Sequence, residues 1–255
     1  MSDLELLLDA ADAITPIAER YFKSQLEIWD KGGGQGPVTE ADLLIDKTLN
    51  EILLSARPGY GWLSEETDDD PARLGHDTIF IVDPIDGTRA FISGQVNFAC
   101  ALAVVHKGQV QDAVVHMPVK GITYAASRGF GATKNGKAIK TDGRTDFEGA
   151  RVLASGRSLD ADLWTHRPEI ERHFRTSLAY RICLVAEGRF DAAMALHSVW
   201  EWDMSAGDLI AEEAGALCTD SFGLQAAYNS PQAAQKGLVV GNPSIHKDLL
   251  WHLRG

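Results

Sequence analysis

The sequence feature that most constrains the fold is a run of β-branched and aromatic residues that ends in two acidic residues. Residues 78–82, Thr-Ile-Phe-Ile-Val, predict a buried strand, and Asp83-Pro84-Ile85-Asp86 follows directly. Because the strand breaks into a turn there, we expect Asp83 and Asp86 to project from one edge of a sheet into the same space. Their charges would repel each other unless a cation lay between them. Ligands that are all oxygen favour a hard cation, Mg²⁺ or Ca²⁺.

The residues after this pair add a predicted anion site. Gly87 allows a tight bend, and Thr88 is predicted to cap a short helix whose first N–H groups point outward. A cation beside an anion pocket indicates phosphate chemistry. The same stretch also fits an ordinary loop in which the Asp side chains cap their own backbone, so both interpretations stay open at this point.

Composition narrows the classes of function. The chain has 255 residues, 45% of them hydrophobic, which suffices for one large domain or for two lobes. A change in composition near residues 141–144 predicts lobes of residues 1–142 and 143–255. The formal net charge of −12 argues against a nucleic-acid polymer as partner, because such partners need a basic surface.

Other features predict a cytoplasmic protein. Cys100, Cys183 and Cys218 are scattered among apolar neighbours, which is typical of reduced, buried thiols rather than of disulfides or a zinc site. The acidic N-terminus does not fit a signal peptide. No apolar run reaches the roughly 18 residues that a membrane span needs, so we expect no membrane partner.

The pattern of apolar residues predicts a layered α/β protein. Helical spacing runs over residues 4–22, where Pro16 either kinks one helix or begins a second one. β-rich runs over residues 98–106, 110–117 and 122–126 predict an antiparallel meander, and strands alternate with helices toward the C-terminus. Because helices and sheets are both expected, packed in layers, the pattern excludes an all-β protein and a helix bundle.

Residues 131–137 have the glycine and lysine spacing of a phosphate-binding P-loop. However, Ala138 stands where that loop needs Ser or Thr, and no helical pattern follows. Asn135-Gly136 predicts a type I′ hairpin turn instead.

Three further acidic residues each have a structural explanation. Asp42 fits a capping box with Thr39, and Asp203 fits the N-cap of a helix. Glu65 follows a predicted strand over residues 60–64. None of them alone indicates a metal site.

Their order along the chain is more specific. The motifs are Val38-Thr39-x-x-Asp42, Ser64-Glu65-Glu66-Thr67, Asp83-Pro-Ile-Asp86-Gly-Thr88 and Trp202-Asp203-x-x-Ala206-Gly207. In this order they resemble the inositol monophosphatase superfamily of Mg²⁺-dependent, lithium-sensitive phosphomonoesterases, over nearly the whole chain. The resemblance implies an αβαβα sandwich of the inositol monophosphatase and fructose-1,6-bisphosphatase type, and a homodimer.

The resemblance also implies roles for individual residues. It implies two or three Mg²⁺ ions per active site, held by Glu65, Asp83, the Ile85 carbonyl oxygen, Asp86 and Asp203. The phosphate would lie on the backbone N–H groups of Gly87 and Thr88. Asp42, Glu65 and Thr88 would orient the attacking water.

The substrate is less constrained than the chemistry. The inositol-specific branch has a Glu at the position of Leu196, which argues against inositol 1-phosphate. The stretch from Trp200 to Asp203 resembles bacterial 3′(2′),5′-bisphosphate nucleotidases, which convert adenosine 3′,5′-bisphosphate to AMP and phosphate. Histidinol-phosphate phosphatases share the Asp-Pro-Ile-Asp-Gly-Thr turn and are the alternative, together with inositol-1-monophosphatase.

The candidates for contacts with the small phosphorylated substrate are Ser177 and Arg181. Arg157, Arg181 and Arg189 each fit either a contact with a second phosphate or an ordinary solvated charge. Trp200 or Trp202 is a candidate for stacking on adenine, although a tryptophan near a helix start also fits the core. A competing hypothesis of another class is a non-catalytic sensor that binds metal and phosphate. The pair Thr88 and Asp42 counts against it, because a binder needs no residues that orient water.

Overall fold

The computed structural model describes residues 1–32 and 36–253. The α-helices in these residues are α1 (Asp3–Tyr21), α2 (Glu40–Ala56), α3 (Thr88–Ile92), α4 (Leu178–Ala186), α5 (Glu201–Glu213) and α6 (Pro243–His252). Short 3₁₀ helices lie at Pro71–Gly75, Pro118–Lys120, Gly156–Leu159 and Ala161–Leu163. Over the described ranges, we find no helix with the length and apolar character needed to span a membrane.

The strands in this described part of the chain form two large sheets and two small ones. The seven-stranded sheet has the spatial order of the chain: β3 (Gly61–Ser64), β4 (Thr78–Asp86), β5 (Ala99–His106), β6 (Gln109–Met117), β7 (Ile122–Ser127), β8 (Ala132–Lys134) and β9 (Lys137–Ile139). The five-stranded sheet has the order β11 (Glu171–His173), β10 (Arg151–Ala154), β12 (Ala192–Ala195), β16 (Leu238–Gly241) and β14 (Leu217–Thr219). The small sheets pair β1 (Ile28–Asp30) with β2 (Pro37–Thr39), and β13 (Val199–Trp200) with β15 (Ala234–Gln235).

Helices and large sheets alternate in five layers. α1 and α2 pack on one face of the seven-stranded sheet, and α4 and α5 lie between the two large sheets. α6 covers the outer face of the five-stranded sheet. The predicted αβαβα sandwich is therefore confirmed. The division into lobes of residues 1–142 and 143–255 stays a prediction.

The strand that opened the sequence analysis lies in the middle of this arrangement. Along β4, Ile79 and Ile81 face the layer of α4 and α5, whereas Phe80 and Val82 face α1 and α2. Side chains of a strand alternate between the two faces of a sheet, and helices cover both faces here. This explains why residues 79–82 are an unbroken apolar run.

An irregularity at the end of β4 positions the acidic pair. Asp83 pairs with Ala101 and Asp86 with Ala99, so three steps along β4 match two steps along β5. In a regular strand, residues three apart point to opposite faces. The one-residue excess between Asp83 and Asp86, a stretch that includes Pro84, breaks that alternation, so both carboxylates can reach the same side of the sheet.

Several local predictions are confirmed. α2 begins with the capping box of Thr39 and Asp42. Asn135 and Gly136 both have positive φ, 48° and 73°, and join β8 to β9 as a hairpin rather than a P-loop. The three cysteines are buried and free.

The structure decides between the two alternatives for Pro16, because α1 is one continuous helix that includes it and no second helix begins there. Two other local predictions are wrong. Gly87, with φ 105°, is the N-cap of α3, and Thr88 is its first helical residue. α5 begins at Glu201, so Asp203 lies within its first turn and is not its N-cap.

The glycine-rich stretch of residues 32–37 predicts a loop. Its residues 33–35 lie outside the described residues, and its flanks form the antiparallel pair of β1 and β2.

Candidate active site

Three aspartates from two elements converge. Asp83 and Asp86 come from the end of β4, and Asp203 comes from the first turn of α5. One carboxylate oxygen from each lies within 4.8 Å of those of the other two. The structure thus brings together residues that lie 120 positions apart in the sequence.

Of the three aspartates, Asp83 has the fewest neighbouring groups that offset its negative charge. Its side chain is fully buried, and neither carboxylate oxygen has a hydrogen-bond partner among the described residues. Burial, followed by the charges of Glu65, Asp86 and Asp203, raises the pKa of Asp83 well above its ordinary value. Buried polar atoms in proteins are nearly always paired, so two orphaned oxygens on one carboxylate fit a site for a cation.

Asp86 has partners from α4. The Ser177 hydroxyl and the Ala179 backbone N–H both donate to Asp86 Oδ2, each at 2.7 Å. Burial raises the pKa of Asp86 to about 6, although these hydrogen bonds oppose the shift.

Asp42 and Thr88 form a pair beside the aspartates. The Thr88 hydroxyl lies 3.2 Å from Asp42 Oδ1 and also 3.2 Å from the carbonyl oxygen of Ile85. Asp42 Oδ2 accepts the Thr39 backbone N–H at 2.9 Å. Burial raises the pKa of Asp42 to about 6. The capping role and the contact with Thr88 therefore coexist on one carboxylate, one oxygen for each.

Glu65 faces the same site but is paired differently. Its carboxylate lies 2.7 Å from the Lys31 ammonium group, which also lies 2.7 Å from Glu66. Burial, followed by the charge of Glu65, raises the pKa of Glu66 to about 7. No sequence pattern pointed to Lys31 as a site residue, because its position beside Glu65 depends on the antiparallel pairing of β1 and β2.

The aspartates open into a cavity of about 490 Å³. Its lining includes most of the predicted site residues together with five that the sequence did not indicate. The predicted ones are Glu65, Asp83, Asp86, Gly87, Thr88, Arg181 and Asp203, and the additional ones are Pro37, Arg89, Ser155, Phe174 and Thr176. The volume falls in the range of small-molecule sites.

Arg181 is a buried cation in the wall of this cavity. Its guanidinium group lies 4.9 Å from the ring centroid of Phe174 and donates to the Thr176 carbonyl oxygen at 3.2 Å. Its Nε has no partner among the described residues. Burial lowers the pKa of Arg181, opposed by the charges of Asp86 and Asp203.

Other predicted contacts lie outside the cavity lining. Ser177 is fully buried, and its hydroxyl is used by Asp86 and by the backbone of α4. Arg157 and Arg189 are exposed side chains that do not line the cavity.

A second cavity of about 630 Å³ shares Glu65 and Asp203 with the first. Trp200 and Trp202 line it and stack on each other, with ring centroids 4.9 Å apart and planes at 10°. Trp200 is 42% exposed, so it is not a core residue.

Comparison with known proteins gives the family. The model of the inositol monophosphatase family matches residues 2–254. The chain belongs to the inositol monophosphatase family. The Nus factor SuhB of Pseudomonas aeruginosa is 33% identical to it, over 84% of this chain and 81% of that protein. A histidinol-phosphatase of Chlorobaculum parvum is 30% identical, over 97% of this chain and 95% of that protein.

Solved structures agree with the fold. The IMPase of Thermotoga maritima superposes with a TM-score of 0.84 and 26% identity, covering 98% of this chain and 96% of that chain. As a member of this family, the chain is a phosphoric monoester hydrolase that acts on small phosphate esters. The family is metal-dependent, and the three aspartates form a group that could hold a metal ion.

Proposed function

We propose that the protein is a Mg²⁺-dependent phosphomonoesterase that transfers the phosphoryl group of a small ester to water. The observation that carries this proposal is Asp83, whose two buried oxygens have no hydrogen-bond partner within residues 1–32 and 36–253 and lie beside Asp86 and Asp203. Carboxylates this close repel each other, and a hard cation compensates them. Asp83, Asp86, Asp203, Glu65 and the Ile85 carbonyl oxygen are the proposed ligands of two or three such ions.

Bound Mg²⁺ would help to deprotonate the attacking water, neutralise the phosphate oxygens and stabilise the leaving alkoxide. The chain's own groups would do the positioning. The backbone N–H groups of Gly87 and Thr88 would hold the phosphate, as the family resemblance implies. The Thr88 hydroxyl, hydrogen-bonded to Asp42, would orient the water, and Asp42 would receive the proton that Thr88 relays.

Lys31 bears on the proposed role of Glu65. Its ammonium group contacts the Glu65 carboxylate, so a cation that binds Glu65 has to compete with Lys31 or share the carboxylate with it. The side chains of Lys31 and Glu65 are largely buried, and we expect their pairing to weaken metal binding at Glu65 relative to the three aspartates.

For the substrate, we propose a 3′(2′),5′-bisphosphate nucleotide. Arg89 and Arg181 line the same cavity as the aspartates and supply cations for a second phosphate. Phe174 supplies an aromatic face in that lining, and the cavity of about 490 Å³ can hold a ligand of this size class.

The second candidate is histidinol phosphate. It is favoured by the relative from Chlorobaculum parvum, a histidinol-phosphatase that aligns with 97% of this chain. Inositol 1-phosphate is the third, supported by the likeness to the Thermotoga maritima IMPase and opposed by Leu196. A homodimer, a cytoplasmic location and inhibition by lithium are further parts of the proposal.

The test is release of inorganic phosphate from adenosine 3′,5′-bisphosphate, histidinol phosphate and inositol 1-phosphate, each with Mg²⁺ and with EDTA. We expect turnover only with Mg²⁺, and a kcat/KM several times higher for the bisphosphate. Equal or reversed rates would overturn the substrate assignment alone. Asp86→Asn should abolish turnover, whereas Asp208→Asn, which changes another buried aspartate outside both cavities, should retain it. No phosphate release from any ester would overturn the enzymatic proposal.

A further inference from the structure

The start of α4 lies directly against Asp86. The Ser177 hydroxyl donates to Asp86 Oδ2 at 2.7 Å and accepts the Tyr180 backbone N–H at 3.0 Å. The Ala179 N–H donates to the same Oδ2 at 2.7 Å. Ser177 is fully buried. One hydroxyl therefore begins the helix and fixes a carboxylate from another layer of the sandwich.

Both hydrogen bonds go to one oxygen of Asp86. Across residues 1–32 and 36–253, no hydrogen bond reaches the other oxygen, Oδ1, although Asp86 lines the cavity. A carboxylate held in this way has one oxygen tied to the protein scaffold and one left for a ligand. Groups that hold a metal ligand from behind in this manner strengthen metal binding.

The same short segment also fixes the wall of the cavity. The Thr176 hydroxyl donates to the Asn97 carbonyl oxygen at 2.5 Å, and the Thr176 carbonyl oxygen accepts from Arg181. Thr176 and Arg181 line the cavity on either side of Ser177 in the sequence. The start of α4 therefore helps to set the position of this cavity wall relative to Asp86.

We propose that Ser177 is a positioning residue, which orients Asp86 for the cation and does not contact the substrate. This inference rests on the proposed function for the identity of the cation. It differs from the role expected from the sequence, in which Ser177 contacts the substrate. The hydroxyl has no hydrogen left for a substrate oxygen, because it already donates to Asp86.

The test compares Mg²⁺ affinity, measured by titration calorimetry without substrate, in three proteins with changed serines. Ser177→Gly removes the hydroxyl but keeps a residue that is acceptable at an N-cap. Ser177→Thr restores a hydroxyl. Ser2→Gly is the matched control, because Ser2 begins α1 with the same kind of cap but touches no aspartate of the site.

We expect Ser177→Gly to raise the Kd for Mg²⁺ about 10–100-fold, Ser177→Thr to return it to within about threefold, and Ser2→Gly to leave it unchanged. At saturating Mg²⁺, the KM for the substrate should change less than twofold. If Ser177→Gly does not fold, Ser177→Cys, of similar volume and with a weak donor, should show the same loss of affinity.

An unchanged Kd in Ser177→Gly, or a Ser177→Thr protein that behaves like Ser177→Gly, would overturn the inference. So would an unchanged Kd with a raised KM, which is the signature of a substrate contact, or a parent protein that binds no divalent cation. Loss of Mg²⁺ affinity in Ser177→Gly while the parent releases phosphate from no ester would leave the positioning role standing and overturn the proposed function.

Discussion

Replacing Asp83 by asparagine should stabilise the metal-free protein while abolishing its activity. A residue that binds a metal is normally expected to stabilise the protein. Asp83, however, has no hydrogen-bond partner among the described residues and lies among other carboxylates. The asparagine side chain in the Asp83→Asn protein has nearly the same shape without the charge, and its amide group can donate to a neighbouring carboxylate.

The size of the effect follows from the geometry. Two unit charges 4.8 Å apart repel by about 3.5 kcal/mol at an effective dielectric constant of about 20. Protonation limits the total cost, because neutralising an ordinary Asp carboxyl at pH 7 costs about 4 kcal/mol. We therefore expect a gain of about 1–4 kcal/mol in the free energy of unfolding, and a Tm higher by about 2–15 °C.

The assay is thermal unfolding at pH 7 in EDTA and in Mg²⁺, together with phosphate release. In EDTA, Asp83→Asn should unfold at a higher temperature than the parent, and Mg²⁺ should no longer raise its Tm. Asp208→Asn is the control for removing a buried carboxylate elsewhere, and it should keep the Mg²⁺ effect. A metal-free Asp83→Asn protein that is less stable than the parent, or one that Mg²⁺ still stabilises, would refute the reasoning.

Three further predictions concern pH, water orientation and packing. In the folded protein the pKa values of Asp42 and Asp86 are about 6, above the unfolded value of about 3.9. Between these two pH values the folded protein therefore binds more protons than the unfolded one. The free energy of unfolding of the metal-free protein should then fall as the pH rises from about 4 to about 6. Unfolding measured in EDTA across this pH range gives the loss of stability, and Mg²⁺ should reduce that loss. Identical stability curves with and without Mg²⁺ would contradict the assignment of the loss to these carboxylates. Thr88→Ala should lower kcat at least about 100-fold with little change in KM, measured by phosphate release, and a KM effect alone would argue for binding instead. Gly207→Ala should cost about 1–3 kcal/mol in urea unfolding, because its Cβ would lie 2.8 Å from Ile182, and an unchanged midpoint would show that α4 and α5 can move apart.

Much of the frame around the site follows from local sequence. The apolar run of β4 predicts a buried strand because both of its faces are covered, and the Thr39–Asp42 capping box identifies the start of α2. Such signals depend on neighbours within a few residues. They also supply the four motifs whose order gives the family.

The geometry of the site depends on contacts that no local pattern encodes. The extra residue in β4 becomes visible only in the register with β5, yet it breaks the alternation of side chains between Asp83 and Asp86. Lys31 reaches Glu65 through a hairpin, and Ser177 reaches Asp86 through the packing of α4. The sequence singled out Ser177 but assigned it to the substrate, because a serine at a helix start does not reveal which group its hydroxyl faces.

The most direct test of the proposed metal site is anomalous X-ray diffraction from crystals soaked in Mn²⁺ as a stand-in for Mg²⁺. We predict an anomalous peak with carboxylate oxygens of Asp83, Asp86 and Asp203 about 2.0–2.5 Å away. Crystals in which Mn²⁺ binds elsewhere, while these three carboxylates hold no ion, would contradict the account.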